Sequence, residues 1–129
     1  MTAAALLLAL VGIGFSFFSA EILSLSGLSL SKASVLLFQL LGALYFGFAM
    51  LNWMAKGNVI GGIYNRPIVI ANFAHFLIGG FALMKSLMKY PELPWAIWTV
   101  GGLYIIFALF FGMVFFGSPV SKKESIAVN

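Results

Sequence analysis

The stretch Pro67–Met88, which reads PIVIANFAHFLIGGFALMKSLM, decides the fold of this chain. It is apolar over most of its length and, as a helix rising about 1.5 Å per residue, it is long enough to cross the roughly 30 Å hydrocarbon core of a bilayer. It also contains Asn72 and the only histidine of the chain, His75. Because a polar side chain in hydrocarbon is costly unless it finds a partner, we expect both residues to face the interior of a helical bundle.

The composition of the whole chain also favours a location in lipid. Of its 129 residues, 63% are hydrophobic and only 8% are charged, whereas about a quarter of an ordinary globular sequence is charged. The sequence has no cysteine, which excludes disulfides and thiolate metal ligands. The net charge of +4 comes mainly from basic residues at the ends of apolar runs, where snorkelling and lipid headgroups account for them, so nucleic-acid binding is not expected.

Four apolar runs use nearly the whole chain. They predict transmembrane helices over residues of about 2–20, 34–55, 67–88 and 94–117, followed by a polar tail over 118–129. The first run has no basic residue before its apolar core, and Phe18 lies where a secretory cleavage site needs a small residue, so a retained helix is favoured over a signal peptide. The predicted fold is all-α: a single polytopic membrane domain, 1–129, with four helices in an up-down bundle.

Local signals set the ends of these spans. Ser31 or Ser34 can cap the second span, because a hydroxyl oxygen can accept from the first N–H groups of a helix. Pro67 begins the third span, since a proline in the first turn gives up an N–H that has no helical partner there. Pro91 prevents continuation of the third span, and Pro94 opens the fourth.

An even number of spans places both termini on the same side of the membrane. Four basic residues lie on that side and three on the other: Lys56, Arg66, Lys122 and Lys123 against Lys32, Lys85 and Lys89. The positive-inside rule therefore favours cytoplasmic termini.

Small residues recur along the spans at positions that share a helix face. Close packing of helices in lipid depends on such residues, because they let two backbones approach. The predicted packing residues are Gly12, Ser16, Gly42, Gly79, Ala108 and Gly112. The stripes on the first and fourth spans could alternatively dock another membrane subunit.

A short internal echo relates the second and fourth spans. The segment GALYFGFA, which begins at Gly42, and the segment GGLYIIFA, which begins at Gly101, agree at Gly, Leu, Tyr, Phe and Ala. Two parallel helical-hairpin repeats would produce this echo and would make Tyr45 and Tyr104 equivalent. Chance agreement in a sequence rich in glycine, phenylalanine and leucine is the alternative.

A few polar residues within the spans are candidates for binding a ligand, an ion or a proton. They are Gln39, Tyr45, Asn52, Asn72, His75 and Tyr104. Packing and internal hydrogen bonding explain Asn72 and His75 equally simply, although hydrogen bonds between membrane helices contribute only about 0.6 kcal/mol on average. Both interpretations stay open at this point.

His75 allows three sharper hypotheses. A metal site is not expected, because no cysteine, second histidine or intramembrane acidic cluster accompanies it. An axial ligand to haem or a similar pigment needs no second protein ligand. A proton relay suits an imidazole with Asn72, Gln39 and the tyrosines as partners. Templates for serine, metal or paired-carboxylate catalysis are missing, so a non-enzymatic role that requires no cofactor is favoured.

Several short motifs carry a resemblance to known proteins. They are QLLGA at Gln39–Ala43, Asn52-Trp53, GGIYNRP at Gly61–Pro67 and Asn72-Phe-Ala-His75. In these motifs, in length and in the four-span layout, the chain resembles small uncharacterised four-helix integral membrane proteins of bacteria. The resemblance implies a bacterial inner membrane and carries over no functional residue.

Three functions follow as hypotheses. The first is binding or moving a small solute, ion or proton through a polar interior patch on the second and third spans, in a homo-oligomer. The second is an accessory or assembly subunit of a larger membrane complex. The third is a haem or pigment carrier through His75. The lipid bilayer is the expected environment in all three cases.

Overall fold

The chain is helical throughout the parts that the structure, a computed structural model, describes, namely residues 1–27, 29–57 and 65–117. Within these ranges there are five helices and no strand, which confirms the predicted all-α class. The helices are α1 (Thr2–Phe17), α2 (Ser19–Leu25), α3 (Lys32–Ala55), α4 (Arg66–Lys89) and α5 (Trp95–Gly117). The predicted polar tail, 118–129, lies outside the described residues.

Three of these helices, α3, α4 and α5, are long and apolar enough to cross a membrane. The pair α1 and α2 meets the same criteria only when taken together, and its two members are bent by 93°. Only 11% to 28% of the most apolar window of each long helix is buried inside the chain. Such extensive apolar surface is consistent with an integral membrane protein, because water would have to hydrate it at a large cost.

The first helix ends earlier than the predicted boundary near residue 20. It stops at Phe17, because Phe18 leaves the helical conformation with φ −118° and ψ 30° while its N–H still donates to the Gly14 carbonyl at 2.8 Å. The chain then turns into α2, which buries Leu23 and leaves Glu21 exposed. This exposed position lets the Glu21 carboxylate stay hydrated.

The chain forms two compact units, residues 1–56 and 57–129, called here the N-terminal and C-terminal units. In the N-terminal unit α1 packs against α3, and α2 contacts both. Helices α1 and α3 run antiparallel, because Gly12 lies beside Phe46 while Ser16 lies beside Gly42.

The C-terminal unit is a second antiparallel hairpin, made of α4 and α5. Gly112, near the end of α5, lies against Phe73, and Gly101, near its start, lies against Leu87. The rings of this unit stack along the helix contact, with Phe76 at 4.9 Å from Phe107 between centroids. The single-domain arrangement of the spans stays a prediction.

The predicted helix ends agree with the observed caps. Ser31 caps α3 in a reciprocal arrangement, in which its hydroxyl accepts from the Ser34 N–H at 3.0 Å and the Ser34 hydroxyl accepts from the Ser31 N–H at 2.9 Å. Pro67 lies in the first turn of α4. That helix ends at Lys89, two residues before Pro91, and α5 begins directly after Pro94. Capping and proline chemistry are local, which is why sequence alone sufficed here.

Candidate functional site

The site is formed by His75 of α4 and Tyr104 of α5. The imidazole Nε2 and the phenol oxygen are 3.3 Å apart, within hydrogen-bonding distance, and the ring centroids are separated by 5.5 Å. His75 is half-buried, whereas Tyr104 is only 3% exposed. Two side chains that can exchange a proton therefore meet between two apolar helices.

Gly79 makes this meeting possible. It lies one helical turn after His75, and a Cβ atom at this position would be 2.7 Å from Cε1 of Tyr104. One edge of the tyrosine ring therefore faces the surface that the glycine leaves open, and its hydroxyl reaches back to the imidazole. The spacing of four residues between histidine and glycine places both on one helix face. Gly79, predicted as a packing residue, thus also positions the site.

An aromatic cluster closes one side of the site. Phe76 is fully buried, and its ring centroid is 5.1 Å from those of both His75 and Tyr104, in edge-on geometry. Phe107 and Phe111 stack on the other side of Phe76 at 4.9 and 5.9 Å. Rings exclude water and lower the local dielectric, which strengthens the histidine–tyrosine hydrogen bond.

Sequence reasoning missed this cluster. Phe107 and Phe111 lie three and seven residues after Tyr104, which places the three rings on one face of α5. That spacing was a usable signal. It was obscured because phenylalanine is frequent throughout the chain, and its 14 copies make any single spacing unremarkable.

Two candidate asparagines use part of their hydrogen-bonding capacity inside their own helices. Asn52 and Asn72 are both fully buried. The Asn52 amide donates to the Phe48 carbonyl at 3.0 Å, and the Asn72 amide donates to the Ile68 carbonyl at 2.8 Å. Bonds of this type to the carbonyl four residues earlier give one amide N–H of each side chain a partner within its own helix. They agree with the packing interpretation that the sequence left open.

The two remaining candidates lie in the N-terminal unit. Tyr45 is half-buried, and its ring meets that of Phe15 edge-on, with 5.8 Å between centroids. Gln39 is exposed and lines a shallow depression with Lys32 and neighbouring aliphatic side chains. Of the six predicted site residues, the described contacts join His75 directly to Tyr104.

The predicted packing residues lie at contacts within each unit. A Cβ atom at Gly12 would be 2.7 Å from the Phe46 backbone nitrogen, and one at Gly42 would be 2.5 Å from the Ser16 hydroxyl oxygen. Ala108 is buried, and Gly112 faces the edge of the Phe73 ring. These small residues therefore contact helices of the same unit, and docking of another subunit stays a prediction.

Within residues 1–27, 29–57 and 65–117, no three His, Cys, Asp or Glu side chains group together. An axial haem ligand uses a ring nitrogen of histidine, and in His75 the Nε2 atom is the one that meets Tyr104. Axial ligation of a haem by His75 stays a prediction.

Comparisons with protein families, with characterised proteins and with solved structures find no match to this chain. The resemblance to small bacterial four-helix membrane proteins accordingly stays a prediction.

Proposed function

We propose that this protein is a small, non-enzymatic integral membrane protein that binds and moves protons through His75 and Tyr104. Its four spans cross the bilayer up and down, with α1 and α2 forming a broken first span. The single observation that carries the proposal is the 3.3 Å contact between the imidazole Nε2 of α4 and the phenol oxygen of α5, two apolar helices.

The chemistry of the two groups supports proton movement. Imidazole is the side chain whose charge ordinarily changes near neutral pH. A phenol hydroxyl both donates and accepts hydrogen bonds. When the Tyr104 oxygen accepts a proton from one side, it can release its own proton to Nε2 of His75, so the number of protons on the phenol is unchanged. The imidazolium then passes a proton onward and returns to its neutral form.

A homo-oligomer completes this proposal. One histidine and one tyrosine occupy a small part of the membrane thickness, so a proton pathway needs further polar groups or water along its length. Most of the apolar surface of α3, α4 and α5 is not buried within the chain, which leaves room for a second copy. We place the assembly in a bacterial inner membrane with cytoplasmic termini, on the basis of the resemblance and the distribution of basic residues.

Proton flux into vesicles tests the proposal. The purified protein is reconstituted into vesicles that enclose a pH-sensitive dye, and acidification is followed after a potassium diffusion potential is imposed. We expect His75→Ala to abolish flux above the level of protein-free vesicles. Tyr104→Phe should also abolish flux, because a phenyl ring has no oxygen that can accept and release the proton.

Tyr90→Phe is the matched control, because Tyr90 lies just beyond the end of α4 and is exposed. Its flux should equal that of the wild type. Wild-type vesicles no more permeable to protons than empty ones, or a His75→Ala variant with full flux, would refute the proposal.

Purification separates the two alternative functions from this one. A preparation with a visible absorption band that His75→Ala removes would favour the haem or pigment carrier. Other membrane chains that remain bound in fixed stoichiometry would favour the accessory subunit. A colourless homo-oligomer agrees with proton movement.

A further inference from the structure

An apolar groove of about 590 Å³ runs between α4 and α5. Its lining is apolar along the whole length, with three residues from α4 and six from α5. The larger side chains among them are Phe73, Leu77, Phe81, Leu109, Met113 and Phe116. Phe81, Leu109, Met113 and Phe116 are each more than 60% exposed, so the groove is open along its length. It lies on a face of the hairpin that the His75 and Tyr104 contact does not use.

The length of the groove favours an acyl chain over a neighbouring helix. From Ile105 to Phe116 the groove follows α5 for about 16 Å, at about 1.5 Å per residue. One leaflet contributes about half of the roughly 30 Å hydrocarbon core. A transmembrane helix of a partner would need a seam through both leaflets, whereas a lipid tail needs only one.

A fixed cation stands at one end of the groove. Arg66 is the first residue of α4 and is exposed, and its guanidinium carbon lies 5.8 Å from the centroid of the Phe115 ring. The Phe115 ring in turn stacks on Phe73, a wall of the groove, at 6.2 Å. Cation–π contact at this distance helps to hold the guanidinium beside the aromatic end of the groove.

The chemistry of this end suits a phosphate. Arginine presents a planar fork of N–H donors that matches two oxygens of a phosphodiester. Arg66 and Pro67 also lie in the first turn of α4, where the helix dipole favours an anion. The apolar walls match the acyl chain of a phospholipid in one leaflet, and the guanidinium at the leaflet surface matches its phosphate.

We propose that the groove between α4 and α5 binds an anionic phospholipid, with its phosphate on Arg66 and one acyl chain along Phe73, Leu77 and Leu109. The site does not depend on proton movement by His75. Such a site would make the protein prefer anionic over zwitterionic lipid. This preference would depend on Arg66 and the groove, and not on the net charge of the chain.

Native mass spectrometry of retained lipid tests this inference. The full-length protein is reconstituted in equal parts of phosphatidylglycerol and phosphatidylcholine, extracted in a mild detergent, and analysed for the lipids that stay bound. We expect the wild type to retain phosphatidylglycerol preferentially. Arg66→Gln should lower that preference about fivefold, the factor that corresponds to about 1 kcal/mol for a basic residue near an anionic surface. Leu109→Trp, which fills the groove, should lower the amount of both lipids retained.

Two controls match these variants. Lys32→Gln removes one positive charge at the start of α3, and Leu44→Trp adds the same bulk at an exposed position of that helix. Both should retain lipid as the wild type does, and circular dichroism should show the same helix content for all five proteins. Equal loss in Lys32→Gln and Arg66→Gln, or full retention in Leu109→Trp, would overturn the proposal, as would loss in Leu44→Trp as large as in Leu109→Trp.

Discussion

The two helical hairpins of this protein hold together by different means. In the N-terminal unit α1 and α3 meet through backbone atoms, because Gly12 and Gly42 remove the side chains that would separate them. In the C-terminal unit α4 and α5 meet through rings, with Phe76 at the centre of the stack. Lipid offers no hydrophobic drive between helices, so both solutions depend on packing, one through close approach and the other through aromatic contact.

The internal echo makes this difference informative. Gly42 and Gly101 are both buried, and Ala49 and Ala108 are each 3% exposed, so corresponding positions have similar burial in the two units. The tyrosines within the echo have different neighbours. Tyr45 meets a phenylalanine, whereas Tyr104 meets the histidine. The corresponding tyrosines therefore have a phenylalanine ring as a neighbour in one hairpin and an imidazole in the other.

The largest effect should come from adding a side chain to the backbone contact of the N-terminal unit. In Gly42→Leu the new Cβ would lie 2.6 Å from the Ser16 nitrogen and 2.7 Å from the Gly12 oxygen. Backbone atoms cannot turn aside, so we expect a loss of about 4 kcal/mol or more, above the roughly 1–3 kcal/mol that overpacking usually costs. The free energy of unfolding, measured by circular dichroism during dodecyl sulfate titration, checks this expectation.

Gly47→Leu is the control on the same helix, since its Cβ would meet nothing within 4 Å. It should unfold as the wild type does. Equal stability of the Gly42→Leu and Gly47→Leu proteins would show that close approach does not hold this hairpin.

The aromatic contact of the C-terminal unit should respond to removal of its central ring. Phe76→Ala deletes the contacts with Tyr104, Phe107 and Phe111. At about 1 kcal/mol for each aromatic pair, we expect a loss of about 3 kcal/mol in the same titration.

Phe81→Ala on the same helix tests whether ring stacking, and not ring size, is responsible. Its ring is 63% exposed, so a change below about 0.5 kcal/mol is expected, as for surface positions in general. A Phe81→Ala loss as large as that of Phe76→Ala would contradict the aromatic account.

The helix starts offer a smaller contrast between the units, because α3 begins at a serine cap and α4 begins with a proline turn. Ser31→Ala removes the acceptor for the Ser34 N–H and should cost about 1 kcal/mol. Hydrogen exchange should report this locally, as faster exchange of the amides in the first turn of α3 with α4 unchanged.

Ser29→Ala is the matched control for the cap. The Ser29 backbone carbonyl accepts from the Ser34 hydroxyl, and this acceptor survives the substitution. Exchange in the first turn of α3 should then stay at the wild-type rate. Unchanged exchange in Ser31→Ala as well would mean that the cap contributes nothing to this helix start.

The smallest effect on stability should come from the site itself. Tyr104→Phe removes the hydrogen bond to His75 but keeps the ring, so we expect a loss of only about 0.6 kcal/mol in the unfolding titration. Together with the loss of proton flux, this would show that the Tyr104 hydroxyl serves function more than packing. A loss above 2 kcal/mol would instead assign the hydroxyl a structural role.

Much of the helical framework could be predicted because its causes are local. Pro67, Pro91 and Ser31 act on the few residues around them, and the sequence placed the starts or ends of α3 and α4 within two residues of those observed. The bend at Phe18 was missed. No glycine or proline lies at the bend, and a local sequence pattern does not show that α2 contacts both α1 and α3.

The candidate site was predicted only as a set of residues. Helical periodicity places His75 and Gly79 on one face of α4, but it does not say which helix covers that face. In a soluble helix the apolar stripe points to the core, whereas a span surrounded by lipid is apolar on all sides. Gln39 and Tyr104 were therefore equally good partners for His75 on the sequence alone.

The sequence by itself determined that this chain consists of apolar helices and where several of them begin and end, because composition and capping act within a few residues. Only the tertiary structure decided that Tyr104 meets His75 across 29 residues and that Gly12 meets the backbone of α3. The physical reason is that such contacts depend on how well the shapes of two whole helix faces fit each other. Hydrocarbon on every side gives the sequence no inward direction from which to infer them.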